Sequence, residues 1–342
     1  MSKTHALNAF ALALVALAIG AIAVRNIHAA APSSLLNVSY DPTRELYARL
    51  NPQFVAAHDK SGGTPLEVKQ SHGGSSRQAR SVIQRKLDPD VVTLGLTSDI
   101  QSLVKHGLVK ADWASRLPNH SQPYYSTIVF VVRRGNPRAI HDWPDLLQPG
   151  VEIITPDPRS SGNGKLSALA AWGAVLAQGG SEADARSYLK TFYQHTPFLE
   201  SGARATALAF AVEKLGDVHL TWENEALREV GEAKGELELI YPPLSIRAEP
   251  AVAWVDANVQ KHGTEKAARA YLAFLFTEPA QEIIAESGYR PFDARVFARH
   301  AARFPELKLF SITAIAKDWE DAQQKFFADD GIIETVYKPK PR

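Results

Sequence analysis

The chain has 342 residues, enough for two compact lobes, and its 45% hydrophobic and 22% charged residues are ordinary for a soluble globular protein. It has no cysteine, which excludes disulfides, thiolate metal sites and cysteine nucleophiles. Its formal charge of +1 argues against nucleic acid or an anionic membrane as the main partner, since both demand a basic surface.

At the N-terminus, Lys3 precedes an acid-free apolar run at 6–24, and Ala29-Ala30-Ala31 offers small residues for cleavage. This pattern reads as a secretory signal peptide over residues 1–31, cut near Ala31. The run is long for such a segment and Arg25 precedes the cut, so an uncleaved anchor is the alternative. Cleavage would remove Lys3 and Arg25, moving the formal charge from +1 to −1. No later stretch is long and apolar enough to span a bilayer.

Short β-rich runs follow at 35–39, 66–70, 91–96, 127–133, 151–155, 218–221, 237–241 and 251–255, with helix-like stretches between most of them. The alternation predicts an α/β fold with largely parallel sheets. Polar or proline-bearing segments at 118–125 and 248–250 mark two crossings between lobes. Facing α/β lobes place a cleft beyond the carboxyl ends of their strands.

The first candidate site in chain order is Asp41-Pro42. Here aspartate reads as the N-cap and proline as the first helical residue, with Leu46, Leu50 and Phe54 every fourth position. The turn Ser-His-Gly-Gly-Ser at 71–75 then ends a β-like run and opens a helix carrying Ala79, Val82, Ile83 and Leu87. Two glycines let the backbone come close to a ligand, and Ser75 falls at the helix N-cap. The first NH groups of a helix lack intrahelical partners and lie at the positive end of its dipole. Such a turn is a ready anion site, although alone it is equally a plain connector.

Three later segments repeat the arrangement. After 151–155 come Ser161, Gly162 and Asn163 at a helix start; after Phe198-Leu199-Glu200 come Ser201 to Arg204, with Ala203 among the first amides; and the strand VHLT ends at Trp222, whose indole only donates. Each feature has a dull reading: Asp41 as a cap only, Arg44, Arg204 and His72 as rim residues, Trp222 as core packing. Taken together, the Ser- and Gly-rich starts describe a pocket full of donors and short of acceptors.

The segments SYDPTRELY (39–47), QSHGGS (70–75), STIVFVVRRGNP (126–137), IHDW (140–143), SSGNGK (160–165), LAAWG (169–173), SGAR (201–204) and TWENEAL (221–227) resemble the bacterial periplasmic sulfate- and thiosulfate-binding proteins. They occur in order over nearly all of the chain after the signal peptide. The resemblance implies a type II periplasmic binding protein: two α/β lobes with mixed central sheets, crossing hinge strands and a ligand cleft between them. Lobe I would comprise 32–122 plus 251–342, and lobe II 123–250. It further implies a periplasmic, monomeric, non-enzymatic protein without cofactor or metal, which captures sulfate or thiosulfate and passes it to a membrane ABC permease and its ATPase.

Carried onto matching positions, the family's donors are the hydroxyl and NH of Ser75, the hydroxyl of Ser161, the NH groups of Gly162, Asn163 and Ala203, and the indole NH of Trp222. Asp41, Gly74 and Arg204 would support them. Asn163 departs from the family's second glycine; an NH donor survives there, but the backbone angle or side chain could alter the pocket's size. The SGN form and AWVDANVQ (253–260) look like the thiosulfate branch, whereas the TWENEA context looks like the sulfate branch.

A donor-only site explains how such a protein would discriminate. Sulfate brings no proton, whereas phosphate does, and leaving that proton unpaired in a buried site costs roughly 1–3 kcal/mol. Rival classes fit less well. GNGK has Arg159 in place of a nucleotide loop's first glycine and Leu166 in place of its Ser/Thr. GGSSR ends in Arg77 where a nucleophile elbow needs glycine. The eleven histidines show no metal-ligand spacing. A regulatory domain of similar fold would need a DNA-binding helix pair where the signal peptide stands.

Overall fold

The computed structural model describes residues 33–337, so the signal-peptide expectation and the proline-rich tail at 338–342 lie outside the described residues. In chain order the strands are β1 (Ser33–Tyr40), β2 (Leu66–Gly73), β3 (Val91–Leu94), β4 (Tyr124–Arg133), β5 (Ile153–Pro156), β6 (Leu199–Glu200), β7 (Val218–Trp222), β8 (Leu237–Ile240), β9 (Leu244–Ala248), β10 (Ala251–Trp254), β11 (Arg290–Pro291) and β12 (Lys308–Phe310). They form a smaller sheet ordered β10-β3-β1-β2 and a larger one ordered β12-β9-β4-β7-β5-β6, with β8 and β11 also paired to β4. The fold is α/β with mixed sheets.

Each β-rich run expected from the sequence forms a strand, while β6, β9, β11 and β12 were not foreseen. The expectation of largely parallel sheets holds for β1 with β2 and β3, and for β5 with β6 and β7. It fails at β4, which runs antiparallel to β7, β8, β9 and β11, and at β10 against β3. Only a helical crossover obliges successive strands to run the same way. Strand β4 opens the larger sheet and β10 returns to the smaller one, so neither continues a β–α–β series.

Side chains on β4 show why its sequence is an unbroken apolar run. Ile128, Phe130 and Val132 enter one core with Trp143, Leu169 and Trp172, while Val129 and Val131 enter another with Ile154 and Phe210. Successive residues of a strand face opposite ways, and here both faces are covered. The smaller sheet is likewise sandwiched, with Leu35 and Val91 on one side and Val38 and Val92 on the other. Among the helices, Gly162–Ala177 is buried nearly all round, as its apolar sequence demands.

The chain's last portion adds to the larger sheet. β12 pairs with β9 in the larger sheet, and Phe326, Ile332 and Ile333 join the core around Trp172. Between Lys308 and Tyr337 the chain therefore packs mainly with the larger sheet, Phe326 against Trp172 and the helix Ile332–Val336 against Glu182–Gln194, while the helix Trp319–Phe327 also meets Thr97–Lys105. No helix among the described residues is long and apolar enough to cross a membrane.

Candidate functional site

The carboxyl ends of β1, β2, β5, β6 and β7 converge where the two sheets face each other. Each leads, directly or through a short turn, into a helical segment: Asp41–Thr43 after β1, Ser75–Ile83 after β2, Gly162–Ala177 after β5, Ala203–Ala211 after β6 and Glu223–Glu232 after β7. They enclose a cavity of about 10 Å³ lined by Tyr40, Asp41, Pro42, Gly74, Ser75, Ser161, Gly162, Asn163, Ala203 and Trp222. That is about the space of a single water-sized sphere, so the walls are drawn tightly together. An organic ligand would need roughly 300 Å³ or more.

All of Ser75, Ser161, Gly162, Asn163, Ala203 and Trp222 are thus brought together, with Asp41 and Gly74 beside them. Arg204 is not. It forms an ion pair with Glu45 and faces a separate cavity of about 430 Å³ with Arg133 and Arg228. The walls come from different sheets and touch: the Arg77 amide donates to the Ser160 carbonyl at 3.4 Å, and the Tyr40 and Trp222 rings lie 5.3 Å apart. Ser75, Ser161 and Trp222 are only 1–2% exposed.

Local geometry refines several expectations. Gly74, not Ser75, caps the helix Ser75–Ile83, so Ser75 is its first residue and its amide heads the helix. The Ser75 hydroxyl donates to Asp99 Oδ2 at 2.5 Å and accepts from the Gly95 amide at 2.9 Å. Its single proton is engaged away from the pocket, which leaves the amide as the Ser75 donor there. Asn163 keeps its amide at the helix start, while its side chain turns to the β7 carbonyl of Leu220 at 3.3 Å. The substitution for glycine therefore adds an anchor and puts no side-chain bulk into the cavity.

Asp41 is not an N-cap. It lies inside a short 3₁₀ turn after Tyr40, and Thr43 precedes the helix Arg44–Lys60. Its carboxyl instead reaches the cavity wall near Gly202. Burial raises its pKa above the ordinary 3.8, opposed by the charges of Arg77, Arg44 and Arg204. The wall thus holds a carboxyl that the donor-only reading did not include, shifted by burial toward protonation against three nearby guanidinium charges.

Sequence reasoning missed Tyr40 as a lining residue and read Pro42 only as a helix start, although both flank Asp41 at a strand end. Asp99 and the buried Glu223–Arg290 pair behind Trp222 left no local signal. Among the described residues, no group of three or more His, Asp or Glu side chains could hold a metal ion.

Helix starts from two sheets, closed tightly around one small buried cavity, define a binding protein for a small anion. The model of the "Bacterial extracellular solute-binding protein" family matches residues 35–290. Over 306 residues the chain is 45% identical to the sulfate-binding protein of Escherichia coli (strain K12), covering 89% of this chain and 93% of that one. It is 44% identical over 316 residues to the thiosulfate-binding protein of Pseudomonas aeruginosa, covering 91% and 94%. The solved structure of the sulfate-binding protein SubI from Mycobacterium tuberculosis H37Rv superposes with a TM-score of 0.78 at 32% identity, covering 86% of this chain and 99% of that one. The chain belongs to the bacterial extracellular solute-binding proteins, in the group formed by the sulfate- and thiosulfate-binding proteins.

Proposed function

We propose that this chain is a periplasmic carrier, exported by a signal peptide cut near Ala31, that captures sulfate and delivers it to a membrane ABC permease and its ATPase. It would act as a monomer and perform no chemistry on its ligand. The observation that carries this reading is the convergence of Ser75, Ser161, Gly162, Asn163, Ala203 and Trp222 on one buried cavity of about 10 Å³. The donors in this reading are the amides of Ser75, Gly162, Asn163 and Ala203, the Ser161 hydroxyl and the Trp222 indole NH, with no cation in contact. Fixed donors in a water-excluded cleft hold a dianion more strongly than exposed ones would. The lobes would part at the two crossings, near 118–125 and 248–250.

Competitive calorimetry with sulfate, thiosulfate, phosphate and molybdate tests the assignment. Sulfate should outbind phosphate by about 1–3 kcal/mol, the cost of an unpaired buried proton donor. Phosphate binding as tightly as sulfate would overturn the donor model. Thiosulfate is the second reading, favoured by nearly equal identities to the two kinds of relative, 45% and 44%. The same titration ranks it.

Asp41 adds a pH dependence with a definite sign. Its pKa is already raised by burial, and a dianion alongside would favour the protonated carboxyl further, so capture takes up protons. Affinity should therefore fall as pH rises through the raised Asp41 range. Asp41→Asn keeps the shape and should flatten the profile. Wild-type and variant profiles of equal slope in calorimetry would remove Asp41 from that role.

A further inference from the structure

The cavity of about 430 Å³ between the helices Ala203–Ala211 and Glu223–Glu232 shares no lining residue with the anion cavity. Its size falls in the range of small-molecule sites, roughly 300–1,000 Å³. Part of its wall is apolar, formed by Ala207, Leu208, Ala211, Val212, Ala233 and Leu237. Leu208 and Val212 stand one helical turn apart and are 51% and 67% exposed; with Leu215 they are the large hydrophobic side chains left exposed among the described residues. Exposed apolar side chains scattered singly are ordinary, whereas a cluster beside a cavity marks a binding surface. The charged side chains on the wall are nearly balanced, four cationic and three acidic. Most are engaged within the protein. Arg133 donates to the carbonyls of Phe210, Leu215 and Gly216, Arg204 pairs with Glu45, Lys214 with Glu236, and the Arg228 Nη atoms with Glu225 and Glu232. Two buried atoms of lining residues have no hydrogen-bond partner among the described residues: Glu229 Oε1, an acceptor, and Arg228 Nε, a donor.

We propose that this cavity is a second binding site, for a small zwitterionic amino acid with an apolar side chain. The ligand's ammonium donates to Glu229 Oε1, its carboxylate accepts from Arg228 Nε, and its side chain covers Leu208, Ala211 and Val212. The site stands apart from the sulfate reading above.

Three features select this class of ligand. Glu229 is 4% exposed, and its Oε2 accepts from His219 Nδ1 at 2.9 Å, so the carboxylate is fixed before any ligand arrives and its other oxygen is spare. A buried polar atom without a partner is costly, and a ligand that supplies the partner recovers that cost. The spare acceptor and the spare donor belong to consecutive residues of one helix, which keeps them close, as the two charged groups of an α-amino acid share one carbon. A purely anionic ligand would meet three carboxylates on the wall and a purely cationic one four cations, whereas a zwitterion matches both signs. Bonds with an ionised partner on each side are the strong kind. The apolar wall then supplies affinity in proportion to the area that the ligand's side chain covers.

Calorimetric titration of the wild-type chain with L-leucine, with isocaproate (leucine without its ammonium) and with isoamylamine (leucine without its carboxylate) tests the site. L-leucine should bind, and each analogue should bind about tenfold or more weakly, because each leaves one buried atom without its partner. Ala211→Phe fills the cavity and should abolish leucine binding with an unchanged melting temperature. Glu229→Gln should weaken leucine about tenfold while affecting isocaproate far less, since isocaproate has no ammonium to lose. If Glu229→Gln fails to fold, the analogues and Ala211→Phe decide alone. No leucine binding by the wild type, equal binding of all three compounds, or wild-type leucine affinity in Ala211→Phe would each overturn the proposal. A wild-type chain that binds leucine and not sulfate would overturn the function proposed above and leave this site standing.

Discussion

Gly74→Ala is expected to weaken sulfate binding tenfold to a hundredfold while leaving the ligand-free protein as stable as the wild type. A Cβ at Gly74 would stand 2.5 Å from the Ser160 carbonyl oxygen and 3.2 Å from that of Ser201. Both obstacles are main chain, so no side chain can swing aside. The backbone itself is not the difficulty: Gly74 has φ −55° and ψ 133°, which alanine adopts freely. The clash is purely steric, and it lies between the turn after β2 and the turns that follow β5 and β6 in the other sheet. Overpacking of this kind costs about 1–3 kcal/mol. In the proposed cycle only the closed form bears that cost, because opening draws the turns apart. Displacing the walls by a few tenths of an ångström would also pull the amides of Ser75 and Gly162 out of register with a shared guest. Calorimetry should record the loss in Kd, and melting without sulfate should record no change. Wild-type affinity in Gly74→Ala would mean that the anion is bound without this contact.

The same turn shows what the sequence could reveal. Its strand, its glycines and its helix lie within a few consecutive residues, and so do those around Ser161, Ala203 and Trp222. Local patterns of that kind are legible because turn chemistry and helix capping act over short distances. Eight of the strands were legible for a similar reason: they are buried apolar runs between turn signals. Two-residue strands such as β6 and β11 carry no periodicity and were missed. The antiparallel setting of β4 depends on where the chain re-enters a sheet, which no local signal encodes. The bond from Ser75 to Asp99 spans 24 residues, and Lys165 meets Gln323 across 158. Both are consequences of packing. Asp41 is the instructive error: Asp-Pro is a sound helix-start signal, but the turn begins one residue earlier and frees the carboxyl for the cavity wall.

Arg290→Met should destabilise the protein by about 3–5 kcal/mol, the usual cost of leaving one member of a buried ion pair alone. Arg290 and Glu223 are 3% and 0% exposed, and the guanidinium grips both carboxylate oxygens, Nε at 2.7 Å and Nη2 at 2.8 Å. Nη2 also donates to the Pro305 carbonyl at 2.9 Å. Bidentate geometry of this quality fixes orientation as well as charge. Glu223 directly follows Trp222, so the pair ties the cavity's indole to β11, which is itself paired to β4 beside the Tyr124–Tyr289 ring contact. Deleting the arginine strands the carboxylate and loosens that anchor. Replacing both partners should undo most of the damage, because the desolvation cost disappears along with the attraction. Urea unfolding of Arg290→Met, Glu223→Leu and the double variant would separate these effects. The double variant should be clearly more stable than Arg290→Met, yet still bind sulfate less tightly than the wild type, since the Trp222 anchor is gone. Equal stability of the double variant and Arg290→Met would show that the arginine acts through packing and its bond to Pro305, not through the charge of Glu223.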